Sequence, residues 1–318
     1  MQQPILVTGA HRSGTTWVGR MLASDPRTAY ISEPLNVLHR RGVYHADIER
    51  WYTYITEENE NKYLPAFYEL FNFRYHLFSE LGSLRSQKDF LRMGRDLAIF
   101  MNGKLRGQRV LLKDPFAVFS APWFAQKLHC QVVITIRHPA GFTSSLKRLN
   151  WPFDFRNLLN QPMLMRDHLE KDRADMERAQ ADDIVGQSAL LWRMIYRSVH
   201  TTLQHGERKS NRQGDAHSLF PDFKIVRHED LSLDPVTGYK SLYESLGLTF
   251  DEKVRDTILN SSSSENPIEL SKKKIHSVKL DSRANMDNWK KRLTSDEITR
   301  IRKMTEDISH LFYSDNEW

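Results

Sequence analysis

The 318-residue chain suits one large α/β domain, or one domain with an insertion, better than two small domains. Hydrophobic residues make up 40% and aromatic residues 11% of the chain, which excludes a disordered protein. The formal net charge of +6 is compatible with an anionic partner, but the charge alone favours a solvated basic surface. No basic stripe with interleaved aromatic residues is present, so we expect no nucleic-acid polymer as partner.

The chain carries a single cysteine, Cys130, which excludes an intramolecular disulfide and a metal site built from several cysteines. We expect this cysteine to act as a small buried hydrophobic residue. The first residues run directly into an apolar segment without a charged leader, and no run of about 18 apolar residues follows anywhere. These features predict a soluble, cytoplasmic protein without an integral membrane segment, and they leave a homodimer open.

Short apolar runs alternate with helical periodicity along the chain. The runs predict strands buried on both faces, at Ile5–Thr8, Ala29–Ser32, Val110–Lys113, Val132–Arg137 and Phe223–Arg227. Helices are predicted at Gly14–Ala23, Pro122–His129, Gly141–Leu149, Gly186–His205, Pro235–Leu246 and Ser295–Leu311. This alternation predicts an α/β fold with a doubly wound parallel sheet flanked by helices, as a single domain over residues 1–318.

Three segments fall outside the regular alternation. Residues 57–106 are rich in aromatic and charged side chains and are predicted to be mostly helical, and residues 150–183 are polar and helical or irregular. The stretch NSSSSEN, Asn260–Asn266, is a predicted loop. The aromatic residues of the first segment are either core for packed helices or groups that stack on a ligand.

The segment PILVTGAHRSGTTWVGRML, Pro4–Leu22, has the layout of a strand, a phosphate-binding loop and a helix. The N–H groups of residues 13–16 and the two threonine hydroxyls can surround a phosphate. The nucleotide-triphosphate loop G-x-x-x-x-G-K-[ST] needs a lysine where Thr15 stands. Arg12 supplies the charge instead, which favours a ligand with one phosphate at this point. An ordinary strand–turn–helix corner is the alternative.

The hexapeptide Arg12-Ser13-Gly14-Thr15-Thr16-Trp17 resembles the 5′-phosphosulfate loop of sulfotransferases that use 3′-phosphoadenosine-5′-phosphosulfate. The resemblance implies a P-loop-type fold and a second signature, Arg-x-Pro followed six residues later by serine, which binds the 3′-phosphate. Arg137, Pro139 and Ser145 provide it. The family often has aspartate where Gly141 stands here.

Two further segments resemble the family. FKIVRHEDLSLDP is similar to a strand that ends in Tyr-Glu-Asp-Leu, and His228 takes the place of the tyrosine that contacts the adenine. A histidine that caps a strand end is the alternative. SRANMDNWKKRLT is similar to a loop that folds over the 3′-phosphate, and Arg283, Trp289 and Lys290 match it. The resemblance thus implies that residues 271–293 cover the cofactor, with Asp287 and Asn288 in place of glycines.

The resemblance also implies the catalytic groups. Arg12 and Lys113, the latter at the end of the strand VLLKDP, are expected to stabilise the departing 5′-phosphate. The histidine that cytosolic small-molecule sulfotransferases place shortly after this lysine is absent. Carbohydrate and several bacterial sulfotransferases have a glutamate before a proline after the second strand, and YISEPLN resembles that pattern. Glu33 is therefore the expected general base, with Asp114 as second choice.

The predicted reaction moves a sulfuryl group to a hydroxyl, less favourably an amine, of a glycan or glycoconjugate. It leaves 3′-phosphoadenosine 5′-phosphate as product, with no metal required and no metal ligands assigned. Residues 42–106 and 150–185 are expected to be insertions on the acceptor side. A small-molecule P-loop kinase would need the missing lysine, with Asp114 as a holder of Mg²⁺. A non-catalytic nucleotide-binding protein of the same fold is the other alternative.

Overall fold

The computed structural model describes residues 2–84, 86–213, 223–269 and 278–318. Five parallel strands form one sheet in the order β2-β3-β1-β4-β5. The strands are β1 Ile5–Gly9, β2 Thr28–Ser32, β3 Arg109–Lys113, β4 Gln131–Ile136 and β5 Phe223–Arg227. All five predicted strands are confirmed to within one residue at either end. The central strands β1, β3 and β4 read as apolar runs because they are buried on both faces, whereas β5, also predicted to be buried, is an edge strand with half-buried and exposed side chains.

Helices connect the strands and cover both faces of the sheet. They are α1 Thr15–Leu22, α2 Leu64–Phe71, α3 Leu77–Leu81, α4 Gln87–Arg106, α5 Ala121–Leu128, α6 Pro139–Leu149, α7 Arg156–Leu159, α8 Pro162–Leu164, α9 Arg173–Arg178, α10 Ile184–Gln213, α11 His228–Leu233, α12 Pro235–Ser245, α13 Glu252–Ser262, α14 Ser282–Met286, α15 Asn288–Arg292 and α16 Ser295–Ser309. Single turns of 3₁₀ helix lie at Glu60–Lys62, Glu170–Asp172 and Asp315–Glu317, a longer one at Pro115–Ser120, and a π-helical turn at Met165–Leu169.

The predicted helices are confirmed, with shifted ends, and one loop prediction is partly wrong. Helix α13 continues to Ser262, into the segment 260–266 that was predicted to be a loop. The physical reason is the burial of Ser261, whose hydroxyl donates to the Ile258 carbonyl (2.8 Å) and accepts from the Trp17 indole N–H (3.0 Å). These two contacts hold the last turn of α13 against α1. Part of the predicted cofactor-covering segment, residues 271–277, lies outside the described residues.

The alternation of side chains along β1 divides the core into two layers. Leu6 faces a large cluster that includes Trp192 and Tyr196 of α10, while Ile5 and Val7 face α1 and α12. Cys130 is completely buried, as predicted, and burial raises the pKa of its thiol. No helix of the described residues is long and apolar enough to cross a bilayer.

The carboxyl ends of the five parallel strands meet at one edge of the sheet, where ligands of open α/β folds bind. At this edge the phosphate loop follows β1, Glu33 follows β2, Lys113 ends β3 and Arg137 follows β4. Helices α2 to α4 are inserted between β2 and β3 beside this edge. The fold therefore brings the phosphate loop, Glu33, Lys113 and Arg137 to one edge of the sheet although they are far apart in sequence.

Candidate active site

The loop between β1 and α1 turns sharply around two residues in the left-handed region, Arg12 at φ 69° and Gly14 at φ 98°. The Ser13 amide donates to the Ala10 carbonyl (3.1 Å), and the buried Ser13 hydroxyl lies 2.5 Å from that carbonyl and 2.7 Å from Thr135 Oγ1. Ser13 thus holds the shape of the loop and does not face the cavity. Gly14 caps α1, and the residues Gly14 to Trp17 line the cavity. A helix N-terminus there offers N–H groups to an anion.

Gly14 allows no side chain, and this gives a first testable prediction. A Cβ atom on Gly14 would lie 2.8 Å from His228 Nδ1, and the positive φ would strain it further. We expect Gly14→Ala to lower the free energy of unfolding by about 2–4 kcal/mol, from the sum of backbone strain and overpacking. The matched control is Gly247→Ala, because Gly247 has φ 66° and open space around it. Urea unfolding of both variants tests this, and equal losses would contradict the contact with His228.

A group of arginines surrounds the loop. Burial, together with the nearby charges of Arg137 and Arg148, lowers the pKa of Arg12 to about 10. Arg12 Nε donates to Ser145 Oγ (3.2 Å), and the Arg12 guanidinium lies 5.9 Å from the centroid of the Trp151 ring. Positive charges in a partly buried cavity repel one another, and a bound anion reduces this repulsion.

The second predicted corner lies beside the first. Arg137 follows β4, and its guanidinium donates to the Arg12 carbonyl (3.4 Å) and to Asn285 Oδ1 (3.1 Å). Burial lowers the pKa of Arg137. Ser145 lies on α6, and both residues line the same cavity as the loop. The two predicted phosphate-binding corners are therefore brought together, and the hydrogen bond from Arg12 to Ser145 joins them directly.

Glu33, in the wall of the cavity, forms an ion pair with Lys113. Lys113 Nζ bonds Glu33 Oε1, and Asn36 Nδ2 donates to Glu33 Oε2 (2.6 Å), so both carboxylate oxygens are held. Glu33 has φ 55°, a strained conformation for a residue with a side chain, and its amide donates to the Lys113 carbonyl (2.8 Å). The Lys113 stem passes Gly19 of α1, where a Cβ atom would approach it to 3.0 Å. Glu33 lines the cavity, and Lys113 lines an adjoining one of about 380 Å³.

Asp114, the second choice for the base, has a different position. Its side chain is buried and accepts from the Leu35 amide (2.6 Å) and the Phe116 amide (2.9 Å). Burial, together with the nearby charge of Glu33, raises the pKa of Asp114 to about 7. Asp114 lies outside the walls of both cavities as the described residues define them. Its contacts are those of a group that holds the loops after β2 and β3.

His228 and Trp17 form the wall of the cavity near β5. The ring of Trp17 meets the edge of His228 at 5.5 Å between centroids. Burial, together with the nearby charge of Arg137, lowers the pKa of His228 to about 3, so the imidazole is neutral. Among the described residues, its Nδ1 atom has no hydrogen-bond partner although it is buried. A neutral ring with a buried, unpaired nitrogen suits contact with a flat heterocycle.

The predicted covering segment contributes residues other than those expected. Arg283 donates to the Leu233 carbonyl (2.8 Å), and Lys290 pairs with Asp287 (3.0 Å) at the surface. Trp289 is buried and stacks on His138, with centroids 5.0 Å apart. These three residues lie outside the described cavity wall, to which this segment instead contributes Ser282, Asn285 and Arg292.

His138 gives a second testable prediction, on acid stability. It is packed among Trp289, Tyr313 and Trp318, and burial lowers its pKa to about 3. Because the unfolded histidine takes up a proton below its usual pKa of 6.5 and the folded one does not, this group makes stability fall as the pH drops from about 6.5 towards 3. Between these two pH values, one such histidine lowers the free energy of unfolding by about 1.4 kcal/mol per pH unit. We expect the free energy of unfolding, measured with urea between about pH 7 and 5, to fall less steeply in His138→Phe than in the wild type. An unchanged dependence on pH would contradict this account.

Several cavity residues were not predicted. Arg148 lies one turn after Ser145 on α6, and this i, i+3 spacing could have indicated it. Asn36 follows the Glu-Pro-Leu sequence and could have been added to that motif. His11 and Trp151 carry no sequence signal, since their approach to the cavity depends on tertiary packing. The Trp51 and Phe116 rings, 4.4 Å apart at their centroids, line the same cavity as Trp151.

The cavity as a whole, about 290 Å³, joins a helix N-terminus, two arginine corners, a neutral aromatic wall and the Glu33 carboxylate. A parallel sheet with this arrangement defines an α/β protein that has an arginine-lined cavity at the carboxyl edge of its sheet, where ligands of open α/β folds bind. The profile of the sulfotransferase family matches residues 4–252, and the chain belongs to that family.

Individual relatives are more distant. Carbohydrate sulfotransferase 1 of Danio rerio is 31% identical over 86 residues, a match that spans 27% of this chain and 20% of that protein. The sulfotransferase domain of the Synechococcus PCC 7002 olefin synthase is 14% identical, with coverage of 99% and 97% of the two chains and a TM-score of 0.48. Mouse SULT7A1, solved as a complex with PAP, is 12% identical, with coverage of 100% and 87% and a TM-score of 0.41.

Proposed function

We propose that the protein transfers a sulfuryl group from 3′-phosphoadenosine-5′-phosphosulfate to a hydroxyl group of a glycan or glycoconjugate. The observation that carries this proposal is the junction of the two anion corners, where Arg12 Nε lies 3.2 Å from Ser145 Oγ. A nucleotide with one anionic group on its 5′ side and another on its 3′ side fits such a pair. Family membership supports the donor, because the loop and the second corner are the residues that carry the resemblance.

In this proposal the 5′-phosphosulfate lies on the phosphate loop and the 3′-phosphate between Arg137 and Ser145. His228 and Trp17 then contact the adenine. The neutral state of His228 and its unpaired Nδ1 atom support this contact. The product is 3′-phosphoadenosine 5′-phosphate, held by the same groups.

The proposed chemistry is one in-line displacement. Glu33 accepts the proton of the acceptor hydroxyl while the hydroxyl oxygen bonds to sulfur. The bond from sulfur to the bridging oxygen of the 5′-phosphate breaks, and its electron pair stays on that oxygen. Arg12, Lys113 and the loop N–H groups stabilise the charge that develops there. No step assigns a role to a metal ion.

The acceptor class rests on two observations. The name of the Danio rerio relative supports a carbohydrate acceptor. The rings of Trp51, Phe116 and Trp151 line the cavity that contains Glu33, and aromatic faces are suitable surfaces for sugar rings. Residues 42–106 and 150–185, which contain Trp51 and Trp151, are therefore proposed as the acceptor side.

A transfer assay tests the proposed function. The purified protein is incubated with sulfur-labelled 3′-phosphoadenosine-5′-phosphosulfate and separate pools of glycans, glycolipids, phenols and amines, with excess chelator in a parallel series. We expect label on a glycan-type acceptor, at a rate that the chelator does not change. Transfer of the γ-phosphate of ATP that depends on Mg²⁺ would instead indicate a kinase. Nucleotide binding without transfer to any pool would indicate a non-catalytic binding protein.

A further inference from the structure

A group of three potential metal ligands lies outside the candidate active site. His45 lies in the loop after β2, Glu69 on α2 and His76 directly before α3. His45 Nδ1 is 3.2 Å from Glu69 Oε2, and His76 Nε2 is 2.9 Å from the same oxygen. All three donor atoms lie within 4.8 Å of one another. Three segments of the chain thus direct one donor atom each to a common point.

The orientation of these groups is not that of a hydrogen bond. His76 Nε2 and Glu69 Oε2 are both buried, and neither has a hydrogen-bond partner among the described residues although they are 2.9 Å apart. At that distance only an unsuitable angle prevents a hydrogen bond. Buried polar groups without partners are rare and require an explanation. A third atom between the donors, bound by both, provides one.

The donor set and its spacing fit a tetrahedral metal ion. Two imidazole nitrogens and one carboxylate oxygen are typical zinc ligands, at about 2.0–2.2 Å from the ion, so neighbouring donors are about 3.3 Å apart. The two distances of 3.2 and 2.9 Å are close to this value. The side chains of His45, Glu69 and His76 are 38%, 26% and 20% exposed, so water can reach the fourth position.

An outer contact orients the carboxylate. Arg74 Nη1 donates to Glu69 Oε1 (2.6 Å), which leaves Glu69 Oε2 directed at the two imidazoles. Ligands of metal ions are commonly fixed by such second contacts. The two imidazole rings lie 4.5 Å apart at their centroids and are tilted by 46°, so they share the point without stacking face to face.

We propose that His45, Glu69 and His76 bind one divalent transition-metal ion, of which Zn²⁺ fits the ligands best, with water as fourth ligand. The ion has a structural role, because it joins the loop after β2 to α2 and α3. The His76 amide already donates to the Gly42 carbonyl (2.9 Å), and the Gly42 amide to Glu80 Oε2 (2.7 Å). The ion adds a third connection to the loop that begins at Glu33. This site does not depend on the proposed sulfuryl transfer.

Metal binding is tested on the full chain without an affinity tag, stripped with chelator and then titrated with ZnCl₂ or CoCl₂. We expect one tightly bound Zn²⁺ per chain, a melting temperature about 5 °C higher at saturation, and Co²⁺ with the intense visible absorption of a four-coordinate ion. The double variant Glu69→Gln/His76→Gln should lose all three effects. His310→Gln is the control, because His310 is exposed and distant from the group in sequence.

Two results would overturn the proposal. One is Zn²⁺ bound to the double variant at the stoichiometry of the wild type. The other is wild-type protein that binds no Zn²⁺ or gives Co²⁺ the weak absorption of a hydrated six-coordinate ion. Either result would leave the group as an ion-pair cluster around Glu69. If the double variant does not fold, the Zn²⁺ titration and Co²⁺ spectrum of the wild type decide alone.

Discussion

Glu33→Gln is expected to lower kcat by about 10²- to 10⁴-fold while the affinity for 3′-phosphoadenosine 5′-phosphate changes less than about twofold. The carboxamide has the shape of the carboxylate and can still accept one hydrogen bond, but it cannot take the proton of the acceptor. Glu33 lines the cavity with both oxygens held, by Lys113 and by Asn36, so the change removes the base without opening a space. Steady-state rates and calorimetric binding measure the two quantities separately.

The matched control is Glu49→Gln, because Glu49 also pairs with a lysine, Lys62, but at the surface. This control should keep full activity, since an exposed ion pair contributes little to stability. Activity retained in Glu33→Gln would remove Glu33 from the mechanism. If nucleotide affinity and activity were both lost, Glu33 would have a structural role in the loop after β2 and not a role in proton transfer.

Arg137→Ala is expected to lower the affinity for 3′-phosphoadenosine 5′-phosphate by about 10²-fold and the affinity for adenosine 5′-phosphosulfate by much less. The Arg137 side chain is half-buried, and it donates hydrogen bonds to two neutral acceptors, the Arg12 carbonyl and Asn285 Oδ1. Burial and the charges of Arg292 and Arg148 lower the pKa of Arg137 more than the nearby Glu229 raises it, so a 3′-phosphate would relieve an unfavourable arrangement of charge. Only the ligand with the 3′-phosphate gains from this relief.

Calorimetric titration of both ligands into wild type and variant gives the comparison directly. Arg156→Ala is the control, since Arg156 is exposed and pairs with Asp154 (2.7 Å). We expect it to change neither affinity. Equal losses for the two ligands in Arg137→Ala would show that the assignment of the 3′-phosphate site is wrong. A loss confined to adenosine 5′-phosphosulfate would place Arg137 at the 5′ side.

The strands and the two arginine corners could be predicted because their signals are local. A strand buried on both faces reads as an apolar run, and Arg12, Arg137 and Ser145 lie at fixed offsets within short motifs. The end of α13 could not be predicted, because the contact of Ser261 with Trp17 spans most of the chain. Composition indicates a loop there, and the tertiary contact overrides it.

The cover of the cavity shows the limit of motif matching. Trp289 matches the family pattern, yet its ring lies on His138, and Asn285 contacts Arg137 instead. A motif fixes which residue types are near one another and not which of them face inward. The His45, Glu69 and His76 group was also not foreseen, since its members come from separate segments without a recognisable spacing.

The pairing of β1 has a consequence for folding during synthesis on the ribosome. This strand contacts no strand near it in sequence: Ile5 is in register with Leu111 of β3 and with Gln131 of β4. At about 5–20 residues per second, synthesis reaches the end of β4 only after on the order of 10 s. Until then the phosphate loop lacks the two strands that support it, and such long-range closure is slow. A ligand of this loop can therefore stabilise the finished fold but cannot guide its first steps.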